Sequence, residues 1–344
     1  MYGFLITIGV VLLLSVIWMV FRVQTLISVA KGTEGKHTGN TNKVNAFLMM
    51  VFLVGTGILM FWYSIKEFDN YQLPIASEHG VVTDQLFWIT MAVTGFIFIL
   101  THILLFWFSY KYQYNEKKRA TYYPDNNKLE IIWTLVPAVV LTVLVISGWK
   151  AWTDITSPAP EGAHEVELMG YQFAWEIRYP GKDGILGDYD YRLINATNSR
   201  GVDFSDQNSR DDFPAQSVVI PKGEPVLFKI RARDVLHSVF APHMRLKMDA
   251  VPGMPTRFWF VPTKTTAEMR AELGNEDFEY EIACTEVCGS GHFSMRRVIT
   301  VVEPDEYRKW FNEQKTFVES NPSLVLDLPA GPDNLAETSA VESK

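Results

Sequence analysis

Cys284-Thr-Glu-Val-Cys288-Gly-Ser-Gly-His292-Phe-Ser-Met295 gathers two thiols, an imidazole and a thioether into one short segment, and its cysteines are the only 2 in the 344-residue chain. Thiolate, imidazole and thioether are soft donors, a set that suits copper far better than magnesium or calcium. A further imidazole lies upstream in Asp234-Val-Leu-His237-Ser-Val-Phe, where a β-like apolar run places it just past the end of a strand. Two thiolates bridging a pair of metal ions, with one imidazole on each and a thioether on one side, would hold a dicopper electron-transfer centre. Two plainer readings compete. Cysteines at this spacing form disulfides in oxidising compartments, and they could supply half of a zinc site. A structural zinc site normally adds a second cysteine pair, which this chain lacks. Met295 favours copper, because a thioether is a poor zinc ligand.

Such a loop needs a rigid scaffold, and the composition divides into two regimes. Overall 48% of residues are hydrophobic and 13% aromatic, with a net charge of −8. The apolar residues concentrate in the first 152 positions, and the remainder has the composition of a soluble domain. A bilayer span needs about 20 apolar residues. Residues 2–21, 46–65, 86–110 and 131–152 each reach that length. The first lacks the basic start and small-residue cleavage pattern of a secretory signal, so it reads as a retained helix. Basic residues crowd the first loop (Arg22, Lys31, Lys36, Lys43) and the third (Lys111, Lys117, Lys118, Arg119, Lys128). The second carries only Lys66, among Glu67, Asp69, Glu78 and Asp84. Loops rich in Lys and Arg stay in the cytoplasm, which puts both termini and everything after the fourth span outside.

From His164 onward the periodicity changes to two, in the segments 165–169, 217–220, 225–230, 257–261, 278–282 and 297–302. Pro221-Lys-Gly-Glu, Pro252-Gly and Gly289-Ser-Gly291 punctuate them. Short strands at this spacing predict a β-sandwich of Greek-key type, and Gly289 and Gly291 free the backbone so that both thiolates can point at one site. The acid-rich segment 180–214, with Asp183, Asp188, Asp190, Asp203, Asp206, Asp211 and Asp212, reads as a solvated loop or a docking element. Residues 315–344 read as a disordered acidic tail. The expected organisation is a membrane hairpin at 1–66, a second at 67–155 and a β-domain at 156–314.

Cys284-x3-Cys288-x3-His292-x2-Met295, together with Asp234-Val-Leu-His237-Ser and Leu246-Lys-Met-Asp-Ala-Val-Pro-Gly253, resembles subunit II of the cytochrome c oxidases of the haem–copper family. Leu129-Glu130-Ile-Ile-Trp133-Thr-Leu-Val-Pro137 is similar to the start of that family's second membrane helix, and Met169–Trp175 stands at its aromatic segment. The resemblance implies a cupredoxin-like barrel. It also implies a binuclear copper centre held by His237, Cys284, Cys288, His292, Met295 and the backbone carbonyl of Glu286, on the outer side of a cytoplasmic membrane. It implies electrons accepted from a cytochrome c and passed to haem in the catalytic subunit I, where O2 reduction is coupled to proton pumping. Neither haem nor nucleic acid is expected on this chain. The family has two membrane helices, so 1–66 is an extra hairpin; Gly55-Thr-Gly57 would let it dock closely on another subunit.

Single residues sharpen or qualify these implications. Phe173 stands where the family has the tryptophan through which electrons arrive, with Trp175 expected on the same strand face. Arg233 beside Asp234 changes the charge of that face, so the donor cytochrome c is expected to be membrane-tethered or complex-bound. By resemblance Glu130 marks the mouth of a proton pathway, although a first-turn acid also suits a helix dipole. The Glu286 carboxylate, by resemblance, reaches toward Mg or Mn at the subunit interface, and Lys247 and Asp249 resemble interface residues near the haem propionates. His102 reads as a packing histidine, and His37, His79, His164 and His243 as surface residues. A copper chaperone would show thioredoxin-like alternation behind a single anchor helix. A quinol oxidase subunit would lack the ligands, and nitrous oxide reductase would need a propeller domain.

Overall fold

The computed structural model describes residues 2–32, 40–115 and 117–326; His37 lies outside them. The apolar runs form four long helices, α1 (Tyr2–Ala30), α2 (Asn40–Glu67), α3 (Glu78–Lys111) and α4 (Asn127–Thr156). All are long and apolar enough to cross a bilayer. Each outruns its apolar stretch by several residues. At α4 the Asn126 side chain accepts the N–H of Leu129 at 3.1 Å, and Glu130 accepts the N–H of Asn126 at 3.4 Å.

The chain forms two compact units, Met1–Tyr71 with Ala92–Glu130, and Gln72–Met91 with Ile131–Lys344. In the first, α2 meets α3 through stacked Phe52 and Phe106 and through Asn42, which donates to Gln113 at 3.3 Å. Gly55 and Gly57 face open space, so no close helix approach uses them within the described residues. His102 bonds the Phe98 carbonyl through Nδ1 at 2.8 Å, as a packing histidine would.

The second unit contains the sandwich that the period-two pattern predicts. Its strands are β1 (His164–Tyr171), β2 (Ala174–Tyr179), β3 (Phe213–Ala215), β4 (Val218–Pro221), β5 (Val226–Ala232), β6 (His237–Ala241), β7 (Leu246–Ala250), β8 (Thr256–Phe260), β9 (Tyr280–Cys284) and β10 (Arg296–Val302). Helix α5 (Thr266–Leu273) precedes β9, and α6 (Pro304–Asn312) follows β10. The sheets run β3-β2-β1-β5-β8 and β4-β10-β9-β6-β7, a cupredoxin-like barrel. Trp175, Phe228, Phe260, Ile282 and Ile299 are buried in its core.

The segment entering α3 is bolted to this barrel. Ser77 bridges Pro262, and Ala76 N–H donates to the His243 carbonyl at 2.8 Å. Arg245 adopts the left-handed conformation at φ 50 and grips both carboxylate oxygens of Asp84, at 2.7 and 2.9 Å. At the far end of α4, the Asp154 carbonyl accepts the Trp259 indole N–H at 3.1 Å.

Three expectations need correction. The 180–214 segment is not a free solvated loop. It packs on the outer face of the first sheet, where Arg178 donates to the Gly187 carbonyl at 2.9 Å and to Asp212 at 2.8 Å, and Arg231 donates to the Arg200 carbonyl at 2.9 Å. Buried Glu167 lies beneath and pairs with both guanidiniums. The tail begins in order, with α7 (Phe317–Ser320) and α8 (Ser323–Leu326); Phe317 N–H donates to the Asp212 carbonyl at 2.9 Å. Residues 327–344 lie outside the described residues. Three histidines taken for surface residues are packed or paired. His79 sits edge-on to Phe258 and His243 edge-on to Phe278, and His164 bonds Glu224 at 2.6 Å.

Candidate metal centre

Two segments at one pole of the barrel bring the donors together. His237 opens β6, not the position just past a strand end; Asp234-Val-Leu forms the approach to it. Cys284 closes β9, and the loop from 285 to 295 carries the remaining donors before β10 begins. Strand pairing sets the first contact, because β6 and β9 are neighbours with Val239 opposite Cys284. His237 Nδ1 lies 3.9 Å from Cys284 Sγ, whose other neighbour is the Glu286 carbonyl at 3.3 Å. Cys288 Sγ lies 3.6 Å from His292 Nδ1 and 3.4 Å from Met295 Sδ. Among the described residues, His237, Cys284 and Cys288 are the one cluster of His, Cys, Asp or Glu close enough to share an ion. Both cysteines are free thiols and buried.

The donor set fits a soft metal. Each imidazole turns Nδ1 toward a thiol, the Glu286 carbonyl lies by Cys284, and the Met295 thioether lies by Cys288. Burial, with the Cys284 thiol beside it, pushes the Cys288 thiol up to about 11. A cation at this spot therefore has to displace the proton, which couples metal uptake to pH. His237 is fixed by Asp234, whose Oδ1 lies 2.9 Å from Nε2; this selects the tautomer that leaves Nδ1 free to ligate. Burial alone would raise the Asp234 carboxyl, but the Gln172 N–H and His237 outweigh it and hold it below the usual range.

Phe173 and Trp175 do not share a strand face. Tyr171 pairs with Ala174, so Gln172 and Phe173 form the tight turn between β1 and β2, where alternation does not apply. The Phe173 ring covers Gly289 and Gly291; a Cβ at Gly289, with φ +139, would lie 2.8 Å from that ring, and one at Gly291 would overlap it. Trp175 is 1% exposed and meets the His237 ring edge-on at 6.0 Å, so an external donor cannot touch it. Asp249 accepts from Ser238 at 2.8 Å and pairs with Lys247 at 3.0 Å. The Glu286 side chain is half-buried, and Glu130 is exposed in its capping turn. Sequence reasoning missed two residues. The Asp-x-x-His spacing of Asp234 and His237 is a usable signal for the first; nothing marks Gln172, which donates through Nε2 to the Cys288 carbonyl at 2.6 Å.

Known proteins resemble both the helical part and the β-domain of this chain. The family model described as cytochrome c oxidase subunit II, periplasmic domain, matches residues 165–302, and the one for the transmembrane domain matches 62–150. The alternative cytochrome c oxidase subunit 2 of Bradyrhizobium diazoefficiens is 32% identical over 280 residues, spanning 79% of this chain and 93% of that protein. Cytochrome c oxidase subunit 2 of Cereibacter sphaeroides is 25% identical, over 73% of this chain and 82% of its own. The crystal structure of the periplasmic domain of subunit II of cytochrome oxidase from Bradyrhizobium japonicum aligns with 44% of this chain and 94% of its own, at 23% identity and a TM-score of 0.31. The chain belongs to the cytochrome c oxidase subunit II family, and is a membrane subunit of a haem–copper oxidoreductase complex.

Proposed function

We propose that this subunit accepts electrons from a cytochrome c at a binuclear copper centre and hands them to haem in the catalytic subunit, where O2 is reduced with coupled proton pumping. The observation that carries this reading is the gathering of four further donor groups around two buried thiols. His237, Cys284, the Glu286 carbonyl, Cys288, His292 and Met295 would hold the copper ions. When bound, the copper pair supplies a one-electron couple whose charge is spread over two ions. The chain's own contribution is a stiff, largely dry shell, with Trp175 packed behind His237 and Phe173 laid over the loop.

The loop charges support placing this pole outside the cytoplasmic membrane, with the first and third loops inside. Glu130 would then stand at the cytoplasmic mouth of a proton path. The Glu286 carboxylate would face a hard cation, Mg or Mn, at the interface with subunit I, near Lys247 and Asp249. Phe173 is the surface aromatic nearest the donor in this reading, with Trp175 carrying electrons behind it. The β-sandwich and the four helices do not fit the thioredoxin-like alternation of a copper chaperone.

The test uses the purified oxidase complex. With Cys284→Ser, oxidation of cytochrome c should fall to background, while a small reductant that reaches haem directly still supports O2 consumption. Cytochrome c oxidation unchanged by Cys284→Ser would refute the proposed path.

A further inference from the structure

Gln172 touches both halves of the metal centre, although it supplies no ligand. Its side-chain Nε2–H donates to the Cys288 carbonyl at 2.6 Å, and its backbone N–H donates to Asp234 Oδ2 at 2.8 Å. The other oxygen of Asp234 lies 2.9 Å from His237 Nε2. One turn residue therefore ties the loop carrying Cys288, His292 and Met295 to the segment carrying His237. The turn is held down by Phe173, whose ring lies against Gly289 and Gly291. The loop is shaped to receive it: a Cβ at Gly289 would stand 3.1 Å from Gln172 Nε2 and 2.8 Å from the Phe173 ring.

We propose that Gln172 is a positioning residue of the metal centre, which sets the distance between the two ligand-bearing segments and tunes the reduction potential; this rests on the copper reading above. The amide also points the positive end of an N–H dipole at the peptide of Cys288. Such a dipole favours the reduced, more electron-rich state, so its loss lowers the potential. Its loss also frees the loop carbonyl, and partners behind metal ligands commonly change metal retention by about tenfold or more.

The experiment compares the full-length copper-loaded chain with Gln172→Leu, which keeps the volume of the side chain and removes its donor. The readouts are bound copper, the electron paramagnetic resonance spectrum, the reduction potential and the rate of copper extraction by a chelator. The expected result is an unchanged copper content, an altered hyperfine pattern, a lower potential and extraction about tenfold faster. A spectrum, potential and extraction rate identical to those of the parent chain would overturn the positioning role and leave the copper reading intact. A parent chain that takes up no copper would overturn the copper reading itself. Should Gln172→Leu fail to fold, Gly289→Ala disturbs the same contact from the loop side; an unaltered potential and spectrum in that variant overturns the proposal as well.

Discussion

Within the centre, the six donor groups are unequal. Each thiol has its own imidazole, at 3.9 Å for Cys284 and 3.6 Å for Cys288, whereas the thioether touches only Cys288, at 3.4 Å. On the proposed two-copper reading, Cys284→Ser or Cys288→Ser should abolish the paired copper spectrum, because each thiolate would be shared. Met295→Leu should retain both ions with a shifted potential, since a thioether would tune a copper site more than hold it. Loss of one ion in Met295→Leu, measured by metal analysis, would contradict that ranking. The ligand types were legible in the sequence because Cys-x3-Cys-x3-His-x2-Met is local and chemically narrow. The clamp was not legible: Gln172 and Cys288 are 116 positions apart, and glutamine carries no chemical signature of its role. Trp175 misled for the opposite reason, since an aromatic near a metal site looks the same in sequence whether it lines the surface or the core.

Two clusters of charge fasten the elements of the barrel. Arg245 and Asp84, with side chains 17% and 22% exposed, fix the start of α3 to the turn before β7. Arg245→Ala should lower the stability of the barrel by about 2 kcal/mol, between the values for exposed and fully buried pairs, as read by thermal unfolding of the full chain in detergent. Beneath the 180–214 segment, the charges titrate in opposite directions. Burial raises the Glu167 carboxyl, but Arg178 and Arg231 outweigh it, taking it from 4.5 to about 2. Burial pushes Asp212 from 3.8 up to about 7, against the pull of Arg178 and the Gly187 N–H. Stability from Glu167 is thus complete above pH 4.5 and is lost as pH falls toward 2. Stability linked to Asp212 is complete below 3.8 and is lost as pH rises through about 7. Asp212→Asn should flatten the loss between pH 4 and 7, tracked by melting temperature, and a parent-like slope would contradict the assignment. Alternation revealed six of the strands. β2 and β6 were anticipated only around Trp175 and His237, while β3 escaped because it is three residues long and β7 because it carries Lys247 and Asp249. Arg178 is buried, and it is paired across the sheet with Glu167, which no periodicity can show.

At the scale of the whole molecule, four membrane helices precede one copper-capable barrel, and the charge of the loops sets the topology. A reporter inserted at 111–128 should score cytoplasmic and one after Asp154 external; the reverse would invert the proposed orientation. The acids of the 180–214 segment are largely engaged in its own turns, for example Asp190 on Arg192 and Asp203 on Ser205. Lys182, Arg192, Arg200 and Arg210 offset four of the seven aspartates, so the segment carries a net charge of −3 and leaves a weaker field for a free basic donor than the number of acids suggests. Turnover should accordingly depend only weakly on salt, although a field of exposed charge would be screened over about 10 Å at 0.1 M. A steep salt inhibition with soluble cytochrome c would restore free diffusional capture. Deleting 183–212 should lower the melting temperature, since Arg178 and Arg231 lose buried acceptors. The most direct measurement is metal content with electron paramagnetic resonance on the copper-loaded full-length chain. Two copper ions per chain, with one unpaired electron coupled equally to both nuclei, is the predicted result. A single zinc, a single isolated copper signal, or a Cys284–Cys288 disulfide with no bound metal would contradict it.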